Sequence, residues 1–210
     1  MPAVTPRRNR AYAPRMTPEE RREQLLDGVL DIINTDGVGA VSMDAVARRA
    51  GVTRPVVYGL FTDTNHLLRS SLDREEKRVF EQIAHAIPAA GETDLVEAMN
   101  HLLDTFLRAV ADAPLRWRAI YLVVDSGTPA FHKRVERGRA AITYQLAEIL
   151  RESSNFDANE DHELLARHLL AAALESGRLL LTDPDTYPRA RLMKSLQKLF
   201  VSAFARLSPP

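Results

Sequence analysis

The sequence predicts an all-α protein of about nine helices. Three observations carry this. Apolar residues recur at intervals of three and four along every long segment from Leu25 to Leu207. Helix-start and helix-stop residues punctuate those segments, and most of the twelve prolines sit at their edges. Between Met43 and Thr62 the chain reads as two short helices folded about a glycine turn.

Thr17-Pro18-Glu19-Glu20 opens the first helix. Thr17 stands at the N-cap, proline takes the first helical position where its missing N–H costs nothing, and Glu20 can close a capping box. Leu25, Leu26, Val29, Ile32 and Ile33 form its apolar stripe, and Asp36-Gly37-Val38-Gly39 ends it. Ser42 caps a second helix over Asp44 to Arg49, and Gly51 supplies the left-handed conformation of a tight reversal. Thr53 then caps a third helix over Arg54 to Phe61. The small Ala47 suits two helices that cross closely. A fourth helix from Thr64 to about Ala86, with Leu67, Leu68, Leu72, Val79, Phe80 and Ile83 apolar, links this unit to the remainder.

Beyond Pro88 the expected helices cover Thr93 to Asp112, Pro114 to Asp125, Ala130 to Ser153, Glu160 to Leu181 and Ala190 to Leu207, with a polar connection over Asn155 to Asp161. The last two are the most apolar. Ala171-Ala172-Ala173 and Ser176-Gly177 leave little bulk on the first of them, so another helix can approach closely, and two such hairpins would form a four-helix homodimer interface.

Composition narrows the chemistry. The absence of cysteine excludes disulfides, thiolate metal sites and cysteine nucleophiles. No run of eighteen apolar residues could span a bilayer, and residues 1–15 carry no apolar run of a signal or anchor, so a soluble, cytoplasmic protein is expected. Net charge is zero, but Arg7, Arg8, Arg10 and Arg15 all precede the first acid, Glu19. That segment reads equally as a solvated tail or as an arm lying on DNA, and both readings are compatible. No catalytic motif or phosphate-cradling glycine loop is present, so neither an enzyme nor a cofactor is expected. The histidines lack metal-ligand spacing, and Asp157, Asn159 and Asp161 open a calcium-like loop whose glycine and closing glutamate are replaced by His162 and His168, so no metal is expected.

The capped first helix, the Ala47 and Gly51 spacing, Val57-Tyr58, Phe61 and Leu67-Leu68 together resemble the TetR family of transcriptional regulators. The resemblance covers Thr17 to about Leu72. Where the family often has a second aromatic, a histidine and a lysine, this chain has Gly59, Leu60 and Thr64, which shifts phosphate contacts toward Tyr58, the hydroxyls of Ser42, Thr53 and Thr64, and the arginine arm. The expected organisation is a basic arm over 1–15, a helix-turn-helix DNA-binding domain over 16–80, and a helical ligand-sensing and dimerisation domain over 81–210.

Site residues follow from position. Thr53, Arg54, Pro55 and Val56 start the helix whose N-terminal end enters a major groove: Arg54 can reach guanine O6 and N7, and Pro55 or Val56 a thymine methyl. Tyr58 is placed for a phosphate, whereas Arg48 and Arg49 read either as backbone contacts or as an exposed face. Trp117, Tyr121 and Asp125 repeat every four residues on one helix face, and with Leu103, Phe106, Phe131 and Tyr144 they are candidate walls of a pocket or ordinary core. The expected function is a dimeric repressor bound to a pseudo-palindromic double-stranded operator and released by a small apolar or amphipathic effector. Two alternatives remain: a DNA-binding architectural or co-regulator protein without a ligand, and a helical enzyme on the same fold.

Overall fold

The computed structural model describes residues 16–87, 95–126, 129–152 and 160–205, without the side chains at 125, 129–132 and 202–205. Among these are nine α-helices: α1 (Pro18–Asp36), α2 (Met43–Arg49), α3 (Arg54–Tyr58), α4 (Thr64–Ile83), α5 (Leu95–Asp112), α6 (Pro114–Asp125), α7 (Pro129–Glu152), α8 (His162–Thr182) and α9 (Arg189–Ala205). Short 3-10 turns follow α1 (Val38–Ala40) and α4 (Ala84–Ala86), and no strand occurs among the described residues. None of the described helices is long and apolar enough to cross a membrane.

The expected capping box forms: Glu20 N donates to Thr17 Oγ1 at 3.2 Å and Thr17 N donates to Glu20 Oε2 at 2.7 Å. Ser42 Oγ accepts from Ala45 N at 3.1 Å to start α2. Gly51 sits at φ +65°, and Val52 N donates back to Ala47 O at 2.9 Å across the reversal.

One boundary and one cap differ from the expectation. α3 stops at Tyr58, because the backbone tightens into a turn in which Leu60 N donates to Val57 O at 3.0 Å. Thr53 holds the N-cap position of α3 without a side-chain capping bond. α4 begins at Thr64 as expected and is capped by Asp63: Asp63 Oδ1 accepts from His66 N at 2.7 Å, and this bond is the main reason its carboxyl lies below the ordinary aspartate range. The arm at 1–15, the expected start at Thr93 and most of the connection after α7 fall outside the described residues.

Two apolar cores result. One joins α1 to α4 through Leu25, Val29, Val46, Val57, Phe61 and Leu67; the other joins α5 to α9 through Leu95, Leu107, Val110, Leu150, Ala166 and Phe200. α6 serves both. Trp117 and Tyr121 turn into the C-terminal core, while Ala119 and Val123, two residues along, turn into the N-terminal one.

The small residues of α8 face inward as well as outward. A Cβ at Gly177 would lie 2.7 Å from Tyr121 Oη and 2.9 Å from Phe106 Cζ, so the close approach they permit is made by α5 and α6 of the same chain.

Candidate DNA interface and effector cavity

In the helix-turn-helix, Val46, Ala47, Val57 and Phe61 are buried and hold α2 against α3, which leaves Thr53, Arg54, Pro55, Val56 and Tyr58 exposed. Tyr58 is 57 % exposed, so it is a surface side chain and not a core one. Arg54 is held from below by Asp44 of α2, which accepts from both its Nε and Nη2. That bidentate pairing fixes the guanidinium plane at the entrance of α3.

Arg49 is engaged inside the module. It donates to Asp31 at 2.6 Å and to Asp36 at 3.0 Å on α1, and the Asp31 hydrogen bond raises its pKa further. Arg48 is exposed. The Ser42 hydroxyl is engaged in its cap, and Thr64 is the half-buried first residue of α4. Gly59 has helical dihedrals open to any residue, and a Cβ there would sit 3.4 Å from Pro55 O.

The pocket candidates separate. Leu103, Phe106 and Trp117 border an apolar cavity of about 250 Å³ in the C-terminal core, with Phe106 and Trp117 edge to face at 5.1 Å. Tyr121 does not border it: its hydroxyl donates to Leu174 O at 2.7 Å, and burial pushes its pKa up to about 12. Tyr144 is 66 % exposed on the outer side of α7 and borders no part of this cavity, because the helix turns Leu146 and Ile149 inward instead. The side chains of Asp125 and Phe131 lie outside the described residues.

Two features of the cavity were not expected from the sequence. Val79, Phe80 and Ile83 of α4 form part of its wall, and their spacing reads only as an ordinary apolar stripe. The Trp117 Nε1–H is buried with no acceptor among the described residues, a cost of about 1–3 kcal/mol for an unmet donor. No group of three or more His, Asp or Glu that could hold a metal occurs among the described residues.

Residues 25–70 match the family of bacterial regulatory proteins named for tetR, and residues 95–203 match the tetracyclin repressor-like C-terminal domain. The chain belongs to the TetR family of transcriptional regulators. It is similar to the transcriptional repressor KstR of Mycolicibacterium smegmatis, 36 % identical over 101 residues that make up 48 % of each chain. The chain thus spans about half the length of that relative. It is also similar to the transcriptional activator FasR of the same organism, 24 % identical over 169 residues covering 80 % of this chain and 76 % of FasR. A TetR-like transcriptional regulator from Rhodococcus sp. RHA1 shares the fold at a TM-score of 0.75 and 24 % identity, over 91 % of this chain and 99 % of that one. Relatives and family alike are transcriptional regulators, not enzymes.

Proposed function

We propose that this TetR-family chain is a dimeric, effector-responsive regulator of transcription, most simply a repressor, that reads a pseudo-palindromic operator with Arg54, Pro55 and Val56 in the major groove and Tyr58 and Thr53 on phosphates. The observation that carries the effector part is the α4 wall of the cavity. Val79, Phe80 and Ile83 touch the cavity on the same helix whose other end packs Leu67 and Leu72 into the DNA-reading core. A ligand that fits better when α4 is displaced therefore shifts the spacing of the two reading heads, and about 100-fold release requires roughly 2.7 kcal/mol of differential affinity.

Dimerisation through α8 and α9 is supported by Leu164, Leu199 and Val201, large apolar side chains exposed on those two helices. The experiment begins with selection of bound sequences from random DNA, where a two-fold symmetric consensus is expected. Apolar compounds are then titrated while the emission of Trp117, the sole tryptophan, and operator occupancy are followed together. A compound that changes Trp117 emission and lowers operator affinity supports the reading. Operator binding with no compound moving either signal favours a DNA-binding protein without an effector.

A further inference from the structure

A second concave surface adjoins the apolar cavity. It is a groove of about 650 Å³ between α7 and α8, with Tyr121, Ala171 and the buried Thr143 among its lining. Five cations border it, Lys133, Arg137, Arg139, Arg167 and Arg178, against two carboxylates, Glu136 and Glu175. Each carboxylate already has an arginine: Glu136 lies 3.4 Å from Arg139 and Glu175 lies 3.8 Å from Arg178. Arg167 turns to Glu163, at 2.9 Å. Arg137 donates from Nε to Lys133 O at 3.3 Å, and among the described residues neither Lys133 nor Arg137 meets a carboxylate. The groove therefore carries uncompensated positive charge on a concave, partly apolar floor, where field lines concentrate.

Leu170 and Leu174 of α8 border both the groove and the apolar cavity, and α7 flanks both, with Arg139, Ala140 and Thr143 on the groove and Leu146 and Ile149 on the cavity. We propose that groove and cavity form one composite site for an anionic amphiphile, with its carboxylate or phosphate head held by Lys133 and Arg137 and its apolar body lodged beside Trp117. This deepens the effector reading above and rests on it. It also adds a sign: neutral apolar compounds fill only the cavity, and cationic ones are disfavoured at the groove.

The test uses the full chain and four probes of equal tail length, decanoate, decyl phosphate, decanol and decyltrimethylammonium, each titrated below its micelle threshold with Trp117 emission as the signal. Both anions are expected to bind about tenfold or more tighter than decanol, the order of one charge-assisted hydrogen bond, with the ammonium weakest. The ratio of decanoate to decyl phosphate separates carboxylate from phosphate heads. In the doubly substituted K133Q/R137Q protein the anions should fall to within about twofold of decanol, while decanol itself is unchanged. Both residues are exposed and outside either core, so folding is preserved. Decanol binding as tightly as the anions, or anion preference surviving both substitutions, would overturn the proposal and leave the cavity reading standing. Silence of Trp117 toward all four probes would overturn the cavity reading itself.

Discussion

Arg116 of α6 donates from Nε to Oε2 of Glu75 on α4 at 2.8 Å, and Glu75 is only 3 % exposed. The same carboxylate accepts from Arg74 Nε at 2.7 Å and from Arg78 Nη1 at 3.4 Å, while Arg74 also reaches Asp27 of α1 at 2.8 Å. Arg116 precedes Trp117, so a cavity residue and a buried ion cluster share one turn of α6. Breaking a buried pair by removing one partner costs about 3–5 kcal/mol, and Glu75→Gln, which leaves three guanidinium groups around a neutral amide, should lower urea-unfolding stability on that order. Arg116→Gln addresses coupling. It should reduce the factor by which an effector weakens operator binding by about 2- to 30-fold, an effect on the order of 0.5–2 kcal/mol read from anisotropy titrations with and without effector. An unchanged factor would show that the signal bypasses this pair.

Gly177→Ala sets two effects against each other. Alanine gains about 1 kcal/mol in helix propensity, but its Cβ would enter the space of Tyr121 Oη and Phe106 Cζ, and overpacking a core costs about 1–3 kcal/mol. Net loss of thermal stability is expected. Since Phe106 stacks edge-on against Trp117, a shifted Trp117 emission maximum should accompany it. An increase in melting temperature would mean that the contact relaxes freely.

Tyr121 gives a pH signature. Its folded pKa of about 12 lies above the unfolded value of about 10, so the folded state keeps a proton that the unfolded chain releases between those values. Stability assignable to this group is full below pH ~10 and is lost as pH rises toward ~12, by up to about 2–3 kcal/mol. Tyr121→Phe should abolish that share of the alkaline slope. Comparing urea midpoints of the two proteins at mildly and strongly alkaline pH checks it, and parallel slopes would refute it.

At the DNA face, Arg54→Ala should relax sequence preference at one position of each half-site by about 1–3 kcal/mol, whereas Tyr58→Phe should weaken binding to all sequences alike. Asp44→Asn loosens the orientation of Arg54 and removes the negative charge beside it. It should raise affinity for random DNA while narrowing the gap to the selected site, as measured by competition at fixed salt.

Helix positions and the reading unit were legible because they depend on local signals: a capping box at Thr17 and Glu20, Gly51 in the turn, and proline at the start of α1, α3 and α6. Helical spacing fixes which residues share a face, which is how Trp117 and Tyr121 were grouped, and both turn into the C-terminal core. Spacing does not fix what a face meets, and Tyr144 and the α4 wall depend on helix-to-helix placement. Glu75 was hidden differently. It stands in the run Asp73-Arg74-Glu75-Glu76-Lys77-Arg78, which reads as a solvated surface until Arg116 arrives from a segment 41 residues away.

The division of α6 between two cores constrains how such a protein can diversify. Residues two apart on one helix support either the C-terminal core or the N-terminal one, so a substitution at 117 or 121 that shifts α6 is felt at 119 and 123 as well. On the proposed function, new specificity for an effector and retention of the old operator are therefore mechanically entangled at this helix. Changes confined to the α7 and α8 side chains of the groove lie off this helix, and on the same proposal they would leave a lineage room to alter what it senses without disturbing what it reads.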